Sequence, residues 1–509
     1  MNFVIIMLII LTFLSRIIGL GREMSLAYFY GTSYTSDAYL MSIAIPTIII
    51  TFVIVSLATS YVPAYQKFEG TESEKNSFTN QVMGLTLVIC LLVLMVTLIF
   101  TRQLVPLFVA GFDDVTMALT VSLTRITLFA VFFMGISHVL QSFMQVKEKV
   151  LLASLSGLPF NLVATLFIVI SAYTTVYMLA IGTVIAMGVQ CLYLLVLARR
   201  HGFKLKPRFV LKDKAIRNLI ILTLPIVLAH TVEQIGIMID KNLASTLGTG
   251  AVSSLAYATR ITTAITGIFV TSILVVTFPK IAKQAAEGNM TKMKNFLAES
   301  IVGMSLFIIP VIAAIAMFTR PVVVLLFGRG AFDTYAVQVT SNLLFFYIFF
   351  LFGSGLTQLI SRVFYALGDS KTPMVVSVVT IITNIILNFI LIAFMGITGL
   401  ALATSIAASI GMLLLLFLLR RKIGSLRLRD TLVSLNKITG ASIAMSFGAY
   451  FVYQYLVLFN ATLALLIAAI VGVGIYVLLL LVLRIREIQR LIAFILEKVE
   501  TFIKGQKNR

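Results

Sequence analysis

The chain has 509 residues, of which 60% are hydrophobic and 11% charged, and its net charge is +20. So apolar a composition excludes a water-soluble globular fold, in which about a quarter of residues are charged, and makes lipid the solvent. The 2 cysteines, Cys90 and Cys191, stand far apart in apolar runs, which excludes a disulfide framework or a cysteine metal site and reads as small core residues.

A helix needs about 20 apolar residues to cross the hydrocarbon layer. On that criterion the spans run in chain order over 3–29, 37–65, 79–101, 117–143, 150–172, 176–198, 216–240, 251–279, 296–319, 334–365, 373–395, 398–419, 433–456 and 461–483. The expected fold is therefore an all-α polytopic membrane protein with fourteen transmembrane helices. The first span is apolar from Phe3 to Leu14 and continues into Arg16 and Arg22, which reads as an uncleaved helix and not a signal peptide. With no Trp, an aromatic belt must use tyrosines such as Tyr28, Tyr30, Tyr61, Tyr65, Tyr173 and Tyr177. The segment 200–215 is a basic linker. The tail 486–509 alternates Leu, Ile and Phe with Arg, Lys and Glu, as an amphipathic helix on the cytoplasmic surface does.

The sides follow from the basic residues. With both termini inside, the outer loops hold only Arg102, Lys241, Arg320 and Arg329 of the 39 Lys and Arg. Arg16, Arg22, Arg125, Arg260 and Arg362 fall inside spans, and the rest lie on inner loops and the tail. This is the positive-inside pattern, so the basic charge faces anionic lipid headgroups and not nucleic acid.

An internal repeat orders the spans. Gly31-Thr32 through Ala38-Tyr39 to Pro63 recurs as Gly248-Thr249 through Ala256-Tyr257 to Pro279, and Phe143 through Lys149 to Asn161 recurs as Phe364 through Lys371 to Asn384. Two six-helix lobes, 1–199 and 216–420, form a parallel repeat, with two C-terminal helices over 421–485 left as an appendage. Paired lobes suit alternating access at a site near mid-membrane. No phosphate-cradling loop suggests ATP hydrolysis. The outer loops are short, with Asp113-Asp114 their only acidic pair, which argues against a membrane glycosyltransferase or polymerase.

Intramembrane charges mark the function, since each costs at least about 2.5–3.5 kcal/mol on insertion scales. Arg16 and Arg22 are about 120° apart in azimuth and about 9 Å apart in height on the first helix, and could line one wide cavity wall. Arg260 lies in the repeat mate of the second helix. Arginine offers a permanent charge and a planar fork for phosphate oxygens. Arg125 and Arg362 read as structural. Asp37 either caps the second helix or pairs with Arg22 as an outer gate. Glu233 and Asp240 share one face of the seventh helix, where a carboxylate could take a coupling cation, pair with an arginine, or simply pair with Lys241 at the interface. His138 and His230 read as core histidines. Asn384, Asn388 and Thr404 add oxygen ligands or helix-packing contacts.

These residues carry a resemblance. Ser15-Arg16-Ile17-Ile18-Gly19, Arg22, Ser36-Asp37-Ala38-Tyr39 and Pro46 are similar to the opening of the MurJ/MviN lipid II flippases. So are Tyr257-Ala258-Thr259-Arg260 and the run Phe364-Tyr365-Ala366-Leu367-Gly368-Asp369-Ser370-Lys371-Thr372-Pro373. The resemblance spans about 10–405 and places the chain near multidrug exporters and polysaccharide flippases. It implies transport of lipid II from the cytoplasmic to the outer leaflet, driven by membrane potential or an ion gradient, with no enzymatic chemistry. It implies that Arg16, Arg22 and Arg260 face a central cavity and bind the diphosphate, with Asp37 near the outer gate. It also implies a polyprenyl-tail groove on the last two helices, a sodium ion at Asp240, Asn384, Asn388 and Thr404, and the cell-wall synthesis machinery as partner. The chain departs from the family at Ile50, where a cavity arginine is usual, at Val55, where an acidic residue is usual, and at Asn388, where the ion site has an acid. Another undecaprenyl-diphosphate oligosaccharide is the alternative substrate. A cationic drug would want acidic cavity residues instead.

Overall fold

The computed structural model describes residues 3–206, 213–426 and 428–483; the side chains of residues 3–14, Arg16, Ala229 and Leu428 are outside that description, as is the predicted tail helix over 486–509. The described chain is helical throughout. The first helices are α1 (Phe3–Tyr30), α2 (Tyr34–Ile50), a π-helical turn (Thr51–Val55), α3 (Ser56–Gln66), α4 (Glu72–Ile99), α5 (Thr101–Phe108), α6 (Asp114–Thr127), α7 (Ala130–Val146), α8 (Val150–Ser154), α9 (Gly157–Tyr173) and α10 (Tyr177–Arg200). There follow α11 (Lys214–Ser245), α12 (Ala251–Ala286), α13 (Met290–Phe327), α14 (Thr334–Tyr347), α15 (Phe350–Ala366), α16 (Lys371–Met395), α17 (Ile397–Ile423), α18 (Leu428–Leu456) and α19 (Ala461–Val482).

Every predicted span falls on helix, but the count of fourteen is not reproduced. Among the described residues 11 helices are long and apolar enough to cross a membrane, or 12 if α6 and α7, bent by 49° at their junction, act as one span. Helix ends also run past the apolar runs, because polar caps set them. Thr71 and Glu74 form a reciprocal capping box that starts α4 at Glu72, well before the predicted 79. The break in α6–α7 recurs in α14–α15, where two residues again separate the helices. Within α13, Phe318 leaves helical geometry (φ −109°, ψ 25°), just before Pro321, whose ring and missing N–H cannot continue the ladder.

The chain forms two compact units. The first comprises Met1–Arg260, Phe327–Thr340 and Asn388–Leu400; the second comprises Ile261–Leu326, Ser341–Leu387 and Ala401–Arg509. The first unit thus gathers pieces of both sequence repeats. Its ties include the Ala331 N–H to the Tyr28 carbonyl (2.8 Å) and the Asn388 amide to Asp240 (2.6 Å).

Lipid offers no hydrophobic drive between apolar helices, so close packing must hold them. Small residues permit it. A side chain at Gly182 would fall 2.1 Å from Cβ of Phe167, bringing α9 and α10 together, and one at Gly135 would fall 2.5 Å from Sγ of Cys90, joining α4 and α7. Cys90 is the small buried residue its apolar run predicted. In the second unit, Gly353 of α15 lies against the backbone of α17, where a Cβ on it would fall 2.9 Å from the Ala408 carbonyl carbon.

Candidate anion-binding site

The site is built on a tight turn. α1 stops at Tyr30 because Gly31 takes φ +54°, a left-handed conformation that an L side chain rarely adopts, and a Cβ there would lie 2.2 Å from the Ala331 carbonyl oxygen. Ser33 then caps α2, its hydroxyl accepting the Ser36 N–H at 3.4 Å. The Ser36 hydroxyl donates back to the Gly31 carbonyl at 2.8 Å. This turn fixes Asp37, in the first turn of α2, and the last turns of α1.

Asp37 is fully buried. Its carboxylate accepts the Gly250 N–H at 2.6 Å and the Ser253 N–H at 2.7 Å. It therefore caps the start of α12, not of its own helix, which Ser33 serves. Gly250 has φ +85°, and a Cβ on it would meet the Thr32 carbonyl oxygen at 2.4 Å, so only glycine lets the two turns approach. Two backbone donors at a helix start are two of that helix's orphan N–H groups, and a carboxylate also suits the positive end of the dipole.

Glu23, on α1, is also buried but spends its charge differently. It pairs with the guanidinium of neighbouring Arg22, and its Oε1 lies 3.2 Å from Nε of Arg260 on α12. Two guanidiniums against one carboxylate leave one net positive charge. The Arg22 side chain is 19% exposed and stands 5.2 Å from the Phe160 ring, whereas Arg260 is 51% exposed. Such a group can bind an anion in place of, or beside, the shared carboxylate. Close by, Tyr39 hydrogen-bonds Thr183 at 2.9 Å and Tyr257 donates to the Gly31 carbonyl at 3.2 Å, so both phenols are satisfied.

Of the predicted site residues, Arg22, Arg260 and Asp37 lie together in the first unit. The Arg16 side chain is outside the described residues. Of the predicted ion ligands, Asn388 donates to Asp240 at 2.6 Å in the first unit, and Asn384 donates to the Thr404 hydroxyl at 3.2 Å in the second. Glu233 and Asp240 both lie on α11, seven residues apart; Glu233 is 62% exposed and its carboxylate lies 3.7 Å from the His230 ring. Arg125 is exposed at the end of α6. Arg362 stacks its guanidinium 5.0 Å from the Phe278 ring.

Ile50 is buried in an apolar cluster with Ile54, Cys90, Leu94, Leu128 and Val131, so its surroundings accept no guanidinium. The π turn Thr51–Val55 begins immediately after it. A π turn carries an extra residue, so counting α-helical positions through this stretch misplaces later side chains by about one residue.

Sequence reasoning missed Glu23 as the partner of both arginines and missed the amides of Gly250 and Ser253. The available signals were an acidic residue directly after an intramembrane arginine and a glycine directly before a repeat helix. The run around Asp369 also gains a physical reason. Asp369 accepts the Thr372 N–H at 3.0 Å, which starts α16, and pairs with Lys422. The Lys422 hydrogen bond and the Thr372 N–H hold its carboxyl at about 2.

Comparison with known proteins identifies a family. The sequence pattern described as Lipid II flippase MurJ matches residues 26–474. A probable lipid II flippase MurJ of Thermotoga maritima is 27% identical over 483 residues, 94% of this chain and 96% of that protein. A solved structure titled Lipid II flippase MurJ, inward closed conformation, superposes with a TM-score of 0.80 at 27% identity, covering 93% of this chain and 98% of that one. A multidrug resistance MATE transporter of the MOP superfamily, inward-facing, superposes with a TM-score of 0.69 over 82% of this chain and 95% of its own; at 16% identity it speaks for the fold alone.

Proposed function

The chain belongs to the lipid II flippase MurJ family, and from that membership we propose how its charged site carries the substrate. The protein is a multi-pass membrane transporter, and the family's lipid II is its substrate. The diphosphate of lipid II binds Arg22 and Arg260 in competition with Glu23. The carboxylate holds the two guanidiniums at one place while the site is empty, and reclaims them when the diphosphate leaves. Arg16 adds a third cation to the same anion. The two lobes alternate access, delivering lipid II from the cytoplasmic to the outer leaflet, with both termini in the cytoplasm. No covalent step is required. The single observation that carries this reading is Glu23 shared by two arginines of which one is half exposed. An exclusively structural ion pair has no use for the second, half-exposed guanidinium.

Sodium is the proposed coupling ion. Asp240, Asn384, Asn388 and Thr404 are oxygen donors of the kind that take sodium in secondary transporters. Asn388 now turns its amide nitrogen to Asp240; its Oδ1 would serve a cation only after an amide flip. The enzymes that consume lipid II at the outer surface are the proposed partners. The absence of a cationic residue at Ile50 leaves the alternative substrate, another undecaprenyl-diphosphate oligosaccharide, as the outcome to test against.

The test is genetic. A host whose own lipid II flippase is shut off should grow when this chain is supplied, and the variant Arg260→Ala should insert normally yet fail to support growth. Growth with Arg22→Ala and Arg260→Ala together would overturn the arginine site. Failure of the well-expressed wild type would move the substrate to the polysaccharide precursor.

A further inference from the structure

We propose a second phosphate-binding subsite, distinct from the Glu23 site, in the groove between α12 and α15 of the second unit, where Arg362 and Gln358 grip a phosphate or diphosphate group. The groove has a volume of about 240 Å³ and is lined by Thr271, Val275, Phe278 and Pro279 of α12 and by Gln358 and Arg362 of α15. That is far above the roughly 10–15 Å³ that one water requires.

The lining is chemically biased. Gln358 and Arg362 are one helical turn apart and share a face of α15. The Arg362 guanidinium lies 5.0 Å from the Phe278 ring centre, so the aromatic face holds it while its N–H edges are left for a fork of oxygens. Among the described residues no carboxylate comes within ion-pair distance of Arg362. A permanent charge in a spanning helix, stacked and exposed but without a counter-charge, is one that an incoming anion can complete. Pro279 has no N–H to donate to the Val275 carbonyl, so α12 loses one helical hydrogen bond beside the groove.

The feature belongs to one repeat only. Phe143 and Phe364 correspond, which sets Gln141 opposite Arg362. In that first repeat the neighbouring Ser142 hydroxyl donates to the Ala58 carbonyl at 2.8 Å, and the two helices are joined there by a direct hydrogen bond. The cation is thus an addition to the second repeat and not a requirement of the helix packing.

The inference rests on the reading of the protein as a carrier of a diphosphate lipid, and the phosphate could come from that lipid or from a phospholipid headgroup. Intact protein in phosphatidylcholine nanodiscs is titrated with undecaprenyl diphosphate, for the wild type, Arg362→Gln, Arg362→Lys and Arg260→Gln. In parallel, native mass spectrometry counts phosphatidylglycerol retained by the wild type and Arg362→Gln. Affinity for undecaprenyl diphosphate weakened about tenfold by Arg362→Gln, with Arg362→Lys intermediate, identifies the transported lipid as the source. Unchanged affinity with one phosphatidylglycerol lost identifies the headgroup. No change in either measurement overturns the subsite. If Arg260→Gln weakens binding and Arg362→Gln changes neither measurement, only this inference falls; if Arg260→Gln also has no effect, the Glu23 site falls with it. Should Arg362→Gln unfold, Gln358→Leu, which keeps the charge, is expected to weaken the same binding severalfold, and no change with that variant is equally fatal.

Discussion

Glu23 and Asp37 are two buried carboxylates in the same unit, near the same turn, and they do opposite work. Asp37 gives both oxygens to backbone amides of α12 at 2.6 and 2.7 Å. Glu23 gives its charge to two arginine side chains, one of them half exposed. Backbone amides cannot move away without unwinding a helix, so Asp37 is architecture. Guanidiniums on long side chains can trade a carboxylate for a phosphate, so Glu23 can be displaced. The lesson is that the partner's freedom, more than burial or charge, separates a carboxylate that holds the fold from one that an incoming anion can displace.

The sharpest way to break this contrast is to remove each carboxylate. Asp37→Ala strands two buried N–H groups, each costing about 1–3 kcal/mol, and should lower the thermal unfolding midpoint of the purified protein markedly along with flipping. An unchanged midpoint would show that water or another residue serves α12. Arg260→Ala comes next: transport should fall to background in the complementation assay, while the unfolding midpoint moves little because the side chain is half exposed. Glu23→Gln tests the displaceable partner. It keeps shape and hydrogen bonding but raises the net charge of the site by one, so undecaprenyl diphosphate should bind severalfold more tightly while turnover slows. Weaker binding would mean that Glu23 positions the arginines more than it competes with the anion.

The smallest effect belongs to Asp369, a carboxylate that holds a helix end as Asp37 does, but in a solvent-reached loop. Its carboxyl, held at about 2 against an ordinary value of 3.8, contributes stability that is present above the ordinary value and lost as pH falls through about 2. Asp369→Asn should therefore lower the midpoint slightly near neutral pH, and the gap to wild type should close in acid. A gap that widens in acid would reverse the assignment.

Much of the molecule is legible in the chain. The apolar runs found the helices because a spanning segment must satisfy its backbone internally, and that constraint depends on local composition alone. The arginines Arg22 and Arg260 stood out because charge is costly in lipid. Helix ends were less legible: the capping box at Thr71 and Glu74 lies outside the apolar run, so hydropathy does not see it. The bend between α6 and α7 was also hidden, since neither Pro nor Gly stands at the break to mark it. Ile50 was readable as a missing cation, but the π turn beside it was not, and that turn alters which face each later residue of the helix presents.

The sequence by itself determined that this protein is a bundle of membrane-spanning helices with permanent positive charge retained within lipid. Those properties follow from the solvent, and composition reports the solvent directly. Only the tertiary structure decided which carboxylate answers which donor. Asp37 meets Gly250 across 213 positions of chain, and Glu23 reaches Arg260 on a different helix. Pairings of that kind depend on how two turns dock, through glycines with no side chain to obstruct them, and no local pattern of residues encodes that approach.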